Sequence, residues 1–248
     1  MLKYNFLRVT MLNKTDIGRA WVRPFLIGEK ITMLERMDDF FTARVDGYDE
    51  HMRQYVEEDS EFYAYTASLL PKTENAKVLD LGCGTGLELE AFLGLNPTAE
   101  VTGIDLTEAM LSALKEKLPN KKITTICGSY FDVPFGEEAF DAAVSVESLH
   151  HFSEEEKLPL YNKLWKALKP GGYFVLTDYY CDTDDQEAFF RRELLRLRKE
   201  QNLPEGVFYH YDTPMTTEHE KKILLAAGFS KVEEIGTWGT THALRAEK

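Results

Sequence analysis

Short apolar runs and longer helical repeats alternate along most of this chain after Pro71. Each apolar run is rich in aliphatic residues and stops at a turn, which is typical of a buried strand. Predicted strands occupy residues 77–81, 100–105, 123–127, 140–146 and 173–177, and predicted helices fill 87–95, 107–118 and 154–168. Strands that alternate with helices of this length indicate an α/β fold, with a parallel sheet and helices on both faces.

Two further segments and a terminal hairpin flank this alternating region. Residues 34–71 repeat apolar side chains at helical spacing until Pro71, which predicts an N-terminal helical cap. A long excursion at 182–215 follows the fifth strand and predicts a lid-like insertion. Residues 232–238 and 241–246 then read as two strands joined by a turn.

Residues 1–33 differ from the rest of the chain in charge. The 248 residues include 29 Lys and Arg against 42 Asp and Glu, a net charge of −13. Residues 1–33 carry +4 of it, which leaves −17 on residues 34–248. We therefore predict an N-terminal extension at 1–33 and a single domain at 34–248. The acidic balance disfavours a large nucleic-acid footprint, which needs a surplus of basic residues, without excluding a local one.

The composition also bears on the cellular compartment. No run approaches the roughly 20 apolar residues that span a bilayer, and the first residues lack the apolar core of a signal peptide. The three cysteines form no CxxC pair and no zinc-finger spacing. We expect a cytoplasmic protein with reduced thiols and no membrane contact.

The motif richest in chemical information lies between the first strand and its helix. It reads Asp80-Leu81-Gly82-Cys83-Gly84-Thr85-Gly86, and Asp105 ends the next strand. Glycines allow a tight turn that brings backbone N–H groups and a helix N-terminus against a ligand, while a carboxylate accepts the hydroxyls of a ribose. A dinucleotide GxGxxG fingerprint would need a glycine where Leu87 stands, and no P-loop GK[ST] occurs.

Residues 78–86 closely resemble the first motif of class I S-adenosylmethionine-dependent methyltransferases. The resemblance continues in order through residues 103–107, 140–145 and 168–174, and so covers about 75–180. It implies a Rossmann-like seven-stranded sheet of order 3-2-1-4-5-7-6, with strand 7 antiparallel and the terminal hairpin as its last two strands.

The same resemblance implies S-adenosyl-L-methionine as the cofactor. Asp80 would approach the methionine amino group, and Asp105 would hold the ribose hydroxyls. Leu106 and Met110 would pack near the adenine, and Ser129 stands where many members of the family have an acidic residue. The residues assigned to the cofactor are Asp80, Gly82, Cys83, Gly84, Gly86, Asp105, Leu106, Met110, Ser129, Tyr130 and Val146.

Candidate catalytic residues follow the fourth strand, where members of this family place groups that face the acceptor. They are Glu147, His150 and His151, and Tyr48 resembles a tyrosine that precedes the core in many small-molecule members and folds over the cofactor. Histidine is a plausible base at neutral pH. Because the two histidines are adjacent, at most one is expected to face the methyl group. No metal is expected, since no carboxylate cluster accompanies the pair at ligand spacing.

These observations predict an S-adenosylmethionine-dependent methyltransferase that transfers a methyl group to a small-molecule acceptor by in-line displacement. One alternative is methylation of tRNA or another RNA through the basic arm at 1–33 and the arginine-rich helix at 191–199. The other is a non-catalytic, cofactor-binding regulatory protein. The acidic total favours the first. The identity of the acceptor and the choice between monomer and homodimer stay open.

Overall fold

A computed structural model of the chain describes residues 33–55 and 61–248. All of the extension predicted at 1–33 except Met33 therefore lies outside the described residues. The seven strands are β1 (Lys77–Leu81), β2 (Glu100–Asp105), β3 (Ile123–Cys127), β4 (Phe140–Val146), β5 (Leu168–Tyr179), β6 (Lys231–Trp238) and β7 (Thr241–Glu247). The α-helices are α1 (Met37–Arg44), α2 (Tyr48–Tyr55), α3 (Glu61–Leu69), α4 (Leu87–Leu95), α5 (Glu108–Lys117), α6 (Glu154–Ala167), α7 (Asp184–Glu200) and α8 (Thr217–Ala226).

The strands form one mixed sheet of order β3-β2-β1-β4-β5-β7-β6, which confirms the predicted topology. The first five strands are parallel, and β7 runs antiparallel to both β5 and β6. Four of the five residues of β1 are buried, because helices cover both faces of the sheet at its centre. The carboxyl ends of the parallel strands thus converge at one edge, where ligands bind in open α/β sheets.

Strand β5 is longer than the apolar pattern predicts. It begins at Leu168 rather than at Tyr173, because Lys169-Pro170-Gly171-Gly172 bulges within the strand instead of preceding it. The pairing with β4 accordingly jumps from Phe140 opposite Leu168 to Ala142 opposite Tyr173. Lys169 stabilises the bulge through an ion pair of 2.6 Å with Asp141.

The helical pattern at 34–71 is divided into three helices. Helices α1 and α2 are separated at Gly47, whose φ of +90° is unfavourable for other residues. Helix α1 is also bound to the segment after α7, since the N–H of Met37 donates to the carbonyl of Phe208 at 3.0 Å and the N–H of His210 donates to that of Glu35 at 3.0 Å. These contacts bring two segments, about 170 residues apart in sequence, to the same edge of the sheet.

Asp49 fixes the start of α2 to the body of the domain. Its carboxylate accepts a hydrogen bond from the Thr85 hydroxyl and forms an ion pair with Lys117. Thr85 belongs to the glycine-rich turn after β1, and Lys117 ends α5. Asp49 therefore links the start of α2 both to the turn after β1 and to α5. No helix among residues 33–55 and 61–248 is long and apolar enough to cross a membrane.

Candidate active site

The turn between β1 and α4 is shaped by its three glycines. Gly82, Gly84 and Gly86 have φ values of +79°, +48° and +75°, a region that disfavours side chains. A Cβ on Gly82 would lie 2.1 Å from the Ser148 hydroxyl oxygen, so no larger residue fits without rearrangement. The turn thereby brings its backbone against the end of β4 and presents the N-terminus of α4 to the edge of the sheet.

Asp105 fastens this turn from the end of β2. Its Oδ2 accepts a hydrogen bond from the Gly84 N–H at 2.9 Å, and its Oδ1 accepts from the N–H and the hydroxyl of Thr107 at 2.9 and 3.0 Å. A carboxylate offers about four acceptor sites, so Asp105 keeps acceptor capacity for the hydroxyls of a bound ribose after these three bonds. Burial raises the pKa of Asp105, which these three donors oppose by stabilising the ionised form.

A first cavity opens beside this turn. The predicted cofactor residues that line it are Gly82, Gly84, Asp105, Leu106, Met110, Ser129, Tyr130 and Val146. Three others do not line it: Cys83 packs behind the turn against Gly103, Gly86 approaches Leu114, and Asp80 lies beneath. Additional lining comes from residues that sequence reasoning did not assign: Met37, Phe41, Phe131, Ser148, Phe152 and Phe208.

Asp80 is fully buried, and neither of its carboxylate oxygens has a hydrogen-bond partner in the described part of the chain. Glu88 lies beside it, itself only 4% exposed. Burial and the charge of Glu88 raise the pKa of Asp80 well above its ordinary value. Two carboxyl groups buried side by side, one of them without a hydrogen-bond donor, suit a ligand that carries a positive charge, such as an ammonium group.

A second cavity of about 30 Å³ lies beside the first. Its lining combines aromatic rings with ionisable groups: Phe40, Phe41, Arg44, Tyr48, His51, Met52, Glu147, His150, His151, His210 and Asp212. Four of these residues, Phe41, Tyr48, Glu147 and His151, also line the first cavity. The structure thus brings all four predicted catalytic residues, Tyr48, Glu147, His150 and His151, to the second cavity.

Buried carboxylates flank the two adjacent histidines. His150 Nδ1 lies 2.5 Å from Asp178 Oδ1, and its Nε2 lies 3.5 Å from Asp212 Oδ1. His151 Nδ1 lies 3.2 Å from the same oxygen of Asp212 and 3.2 Å from the carbonyl oxygen of Tyr211. No carboxylate stands near the pair at ligand spacing in the sequence. The fold nevertheless brings Asp178 of β5 and Asp212 of the segment after α7 against the two histidines.

The surroundings shift the pKa values of the two histidines in opposite directions. Burial alone would lower the pKa of His150, but Asp178 and Asp212 raise it to about 10. Burial and the neighbouring charge of His150 lower the pKa of His151. The histidines in turn hold the pKa of Asp212 well below its ordinary range, although burial opposes this effect.

Tyr48 and Glu147 complete the boundary between the cavities. Burial, followed by the charges of Asp105 and Glu88, raises the pKa of Tyr48, so its phenol stays protonated at neutral pH. Glu147 has a left-handed backbone with φ of +50°, and its carboxylate accepts a hydrogen bond from the Thr241 hydroxyl at 3.0 Å. A strained backbone of this kind persists only where its surroundings impose it.

Comparisons with known proteins agree with this architecture. Residues 78–172 match the family described as methyltransferase domain. Sterol 24-C-methyltransferase of Gibberella zeae is 30% identical over 195 residues, which cover 73% of this chain and 46% of that protein. Carboxy-S-adenosyl-L-methionine synthase of Campylobacter concisus is 25% identical over 245 residues, which cover 92% of this chain and all of that protein.

Among solved structures, a provisionally assigned O-methyltransferase from Nostoc punctiforme superimposes with a TM-score of 0.66 at 22% identity. The superposition covers 89% of this chain and 64% of that one. The chain spans about a third to a half of the length of the sterol methyltransferases that it matches. From the sheet order, the glycine turn with Asp105 and the family match together, residues 78–172 form a methyltransferase domain of the class I S-adenosylmethionine-dependent type, and S-adenosylmethionine is its cofactor.

Proposed function

We propose that this protein transfers the methyl group of S-adenosylmethionine to a small-molecule acceptor bound in the second cavity. The observation that carries the proposal is that Phe41, Tyr48, Glu147 and His151 line both cavities. A ligand in the second cavity would therefore adjoin a cofactor in the first. When bound, the cofactor supplies a methyl group already activated by its positive sulfur.

The residues of the cofactor site fit this group. Asp105 sits at the end of β2 with acceptor capacity left for ribose hydroxyls. Asp80 offers a buried carboxylate without a partner to the amino group of the methionine part. Leu106 and Met110 line the apolar side of the first cavity, which suits an adenine ring.

Catalysis then depends mainly on positioning and on excluding water. Phe41 and Tyr48 of the N-terminal helices lie over the boundary between the cavities. In this proposal the Tyr48 phenol, which stays protonated, donates a hydrogen bond to the acceptor rather than removing its proton. Glu147 and His151 also line both cavities, which supports a contact between them and the reacting atom of the acceptor.

The size and charge of the surroundings favour a small acceptor. A cavity of about 30 Å³ holds about two water molecules, because one water needs roughly 10–15 Å³ of such volume. An acceptor larger than this volume requires some of the lining side chains to move. Two of the four arginines of α7, Arg191 and Arg196, form ion pairs with glutamates of the same helix.

The proposal is tested by incubating the full chain and methyl-labelled cofactor with a metabolite extract and, separately, with bulk tRNA. We expect label in the low-molecular-mass fraction. The matched variant Tyr48→Phe keeps the ring but loses the hydroxyl, so turnover should fall while cofactor affinity is retained. Label found only in tRNA would support the RNA alternative. Cofactor binding without any transfer would support the non-catalytic alternative.

A further inference from the structure

Three potential metal ligands converge on the wall of the second cavity. They belong to His150, His151 and Asp212, each of which offers one ligand atom, and these three atoms lie within 4.8 Å of one another. The separations from Asp212 Oδ1 are 3.5 Å to His150 Nε2 and 3.2 Å to His151 Nδ1. A tetrahedral ion with metal–ligand bonds of about 2.0–2.1 Å spaces its ligand atoms by roughly 3.4 Å. The observed spacing suits such an ion.

His150 is oriented as a metal ligand would be. The Oδ2 of Asp178 accepts the backbone N–H groups of Leu149 at 2.8 Å and His150 at 3.1 Å, which fixes the carboxylate. Its Oδ1 lies 2.5 Å from His150 Nδ1 and so directs Nε2 towards Asp212. A carboxylate that accepts from one imidazole nitrogen while the other nitrogen binds metal is the usual arrangement around ligating histidines.

The cluster also has an unsatisfied acceptor and room for an ion. Asp212 is 2% exposed, and its Oδ2 has no hydrogen-bond partner among the described residues. His150, His151 and Asp212 all line the second cavity, whose volume of about 30 Å³ accommodates one ion and a water molecule. A buried carboxylate oxygen without a partner costs free energy, which a cation at this position would recover.

We propose that His150 Nε2, His151 Nδ1 and Asp212 bind one divalent ion of the zinc class, with the remaining coordination position open to the second cavity. Imidazole and carboxylate ligands together favour Zn²⁺ and similar ions over Mg²⁺, which prefers oxygen ligands and retains its water. Binding replaces the contact between His151 Nδ1 and the Tyr211 carbonyl. It also releases to solvent the proton of His150 Nε2, because a ligating nitrogen must be deprotonated. The ion's use in holding an acceptor oxygen rests on the proposed function, whereas the site itself does not.

The test is titration of the full, chelator-treated chain with Co²⁺, followed by its displacement with Zn²⁺. We expect one Co²⁺ per chain, a visible absorption band of a low-coordinate site, displacement by Zn²⁺, and no displacement by Mg²⁺. Asp212→Asn preserves the shape of the side chain and should weaken Co²⁺ binding at least 100-fold. Asp178 is not one of the three ligands but orients His150, so Asp178→Asn should weaken Co²⁺ binding about 10- to 100-fold.

Surface His242, which pairs with Glu234, supplies the matched control, and His242→Ala should leave Co²⁺ affinity unchanged. Circular dichroism establishes that each variant is folded. Absence of stoichiometric Co²⁺ binding, or binding that survives unchanged in folded Asp212→Asn, overturns the proposed site. Methyl transfer that continues at the full rate without metal would leave the proposed function intact and show that the ion has no part in it. Failure of the metal site and failure of the proposed function are therefore distinguishable.

Discussion

Replacing Asp80 with asparagine should change cofactor affinity and protein stability in opposite directions. The carboxylate is fully buried, and both of its oxygens have no hydrogen-bond partner among the described residues. A charged hydrogen bond to the cofactor's ammonium group is worth about 1.5–3 kcal/mol, so Asp80→Asn should weaken cofactor binding about 10- to 150-fold. In the cofactor-free protein the same change removes a carboxyl group whose ionisation burial and Glu88 disfavour, and it lets the new amide donate to Glu88.

The pH dependence has a defined sign. Burial and Glu88 raise the pKa of Asp80 in the folded state above its unfolded value of about 3.9. Stability from this group is therefore complete below about pH 3.9 and declines as the pH rises towards the folded pKa. The free energy of unfolding of Asp80→Asn, relative to that of the unmodified protein, should increase between pH 4 and 7. Because the ammonium favours the ionised carboxylate, cofactor binding should release a proton in this range.

Isothermal titration calorimetry in buffers of different ionisation enthalpy measures both the affinity and the proton release, and urea unfolding at pH 4 and 7 measures the stability. Glu88→Gln is the matched control, because it relieves the same repulsion and keeps the Asp80 carboxylate. It should stabilise the cofactor-free protein without the loss of affinity. A folded Asp80→Asn protein whose cofactor affinity stays within twofold of the unmodified protein would refute the ammonium assignment.

Two other substitutions probe the edge of the sheet. Asp105→Ala should weaken cofactor binding, measured by calorimetry, by about 1–3 kcal/mol. It should also lower the thermal midpoint of unfolding, because the N–H of Gly84 loses its acceptor. Unchanged affinity would contradict the ribose assignment. Asp49→Ala removes the link between α2 and Thr85 and should accelerate cofactor association and dissociation together in stopped-flow measurements. Unaltered rates would mean that the N-terminal helices do not control entry, and Asp46→Ala, at an exposed position just before α2, is the control.

The fold was largely predictable because its signals are local. The buried parallel strands read as continuous apolar runs, and the order of the sheet follows once residues 78–86 are matched to the first motif of the family. Boundaries were less predictable where local and tertiary preferences conflict. Lys169-Pro170-Gly171-Gly172 has the composition of a turn, yet pairing with β4 and the ion pair to Asp141 incorporate it into β5 as a bulge.

The cofactor site was predictable from local sequence, whereas the chemistry of the second cavity depends on tertiary contacts. The sequence by itself determined the glycine turn and Asp105, because a contiguous strand–turn–helix segment builds that part of the site from its own backbone. It also indicated His150 and His151, because they follow a strand end. Only the tertiary structure decided their chemistry, since Asp178 and Asp212 reach them across 28 and 62 residues through strand pairing and through the docking of the 208–212 segment on α1. Neither the hydrophobic periodicity nor the spacing of motifs in the sequence predicts contacts between residues so far apart in the chain.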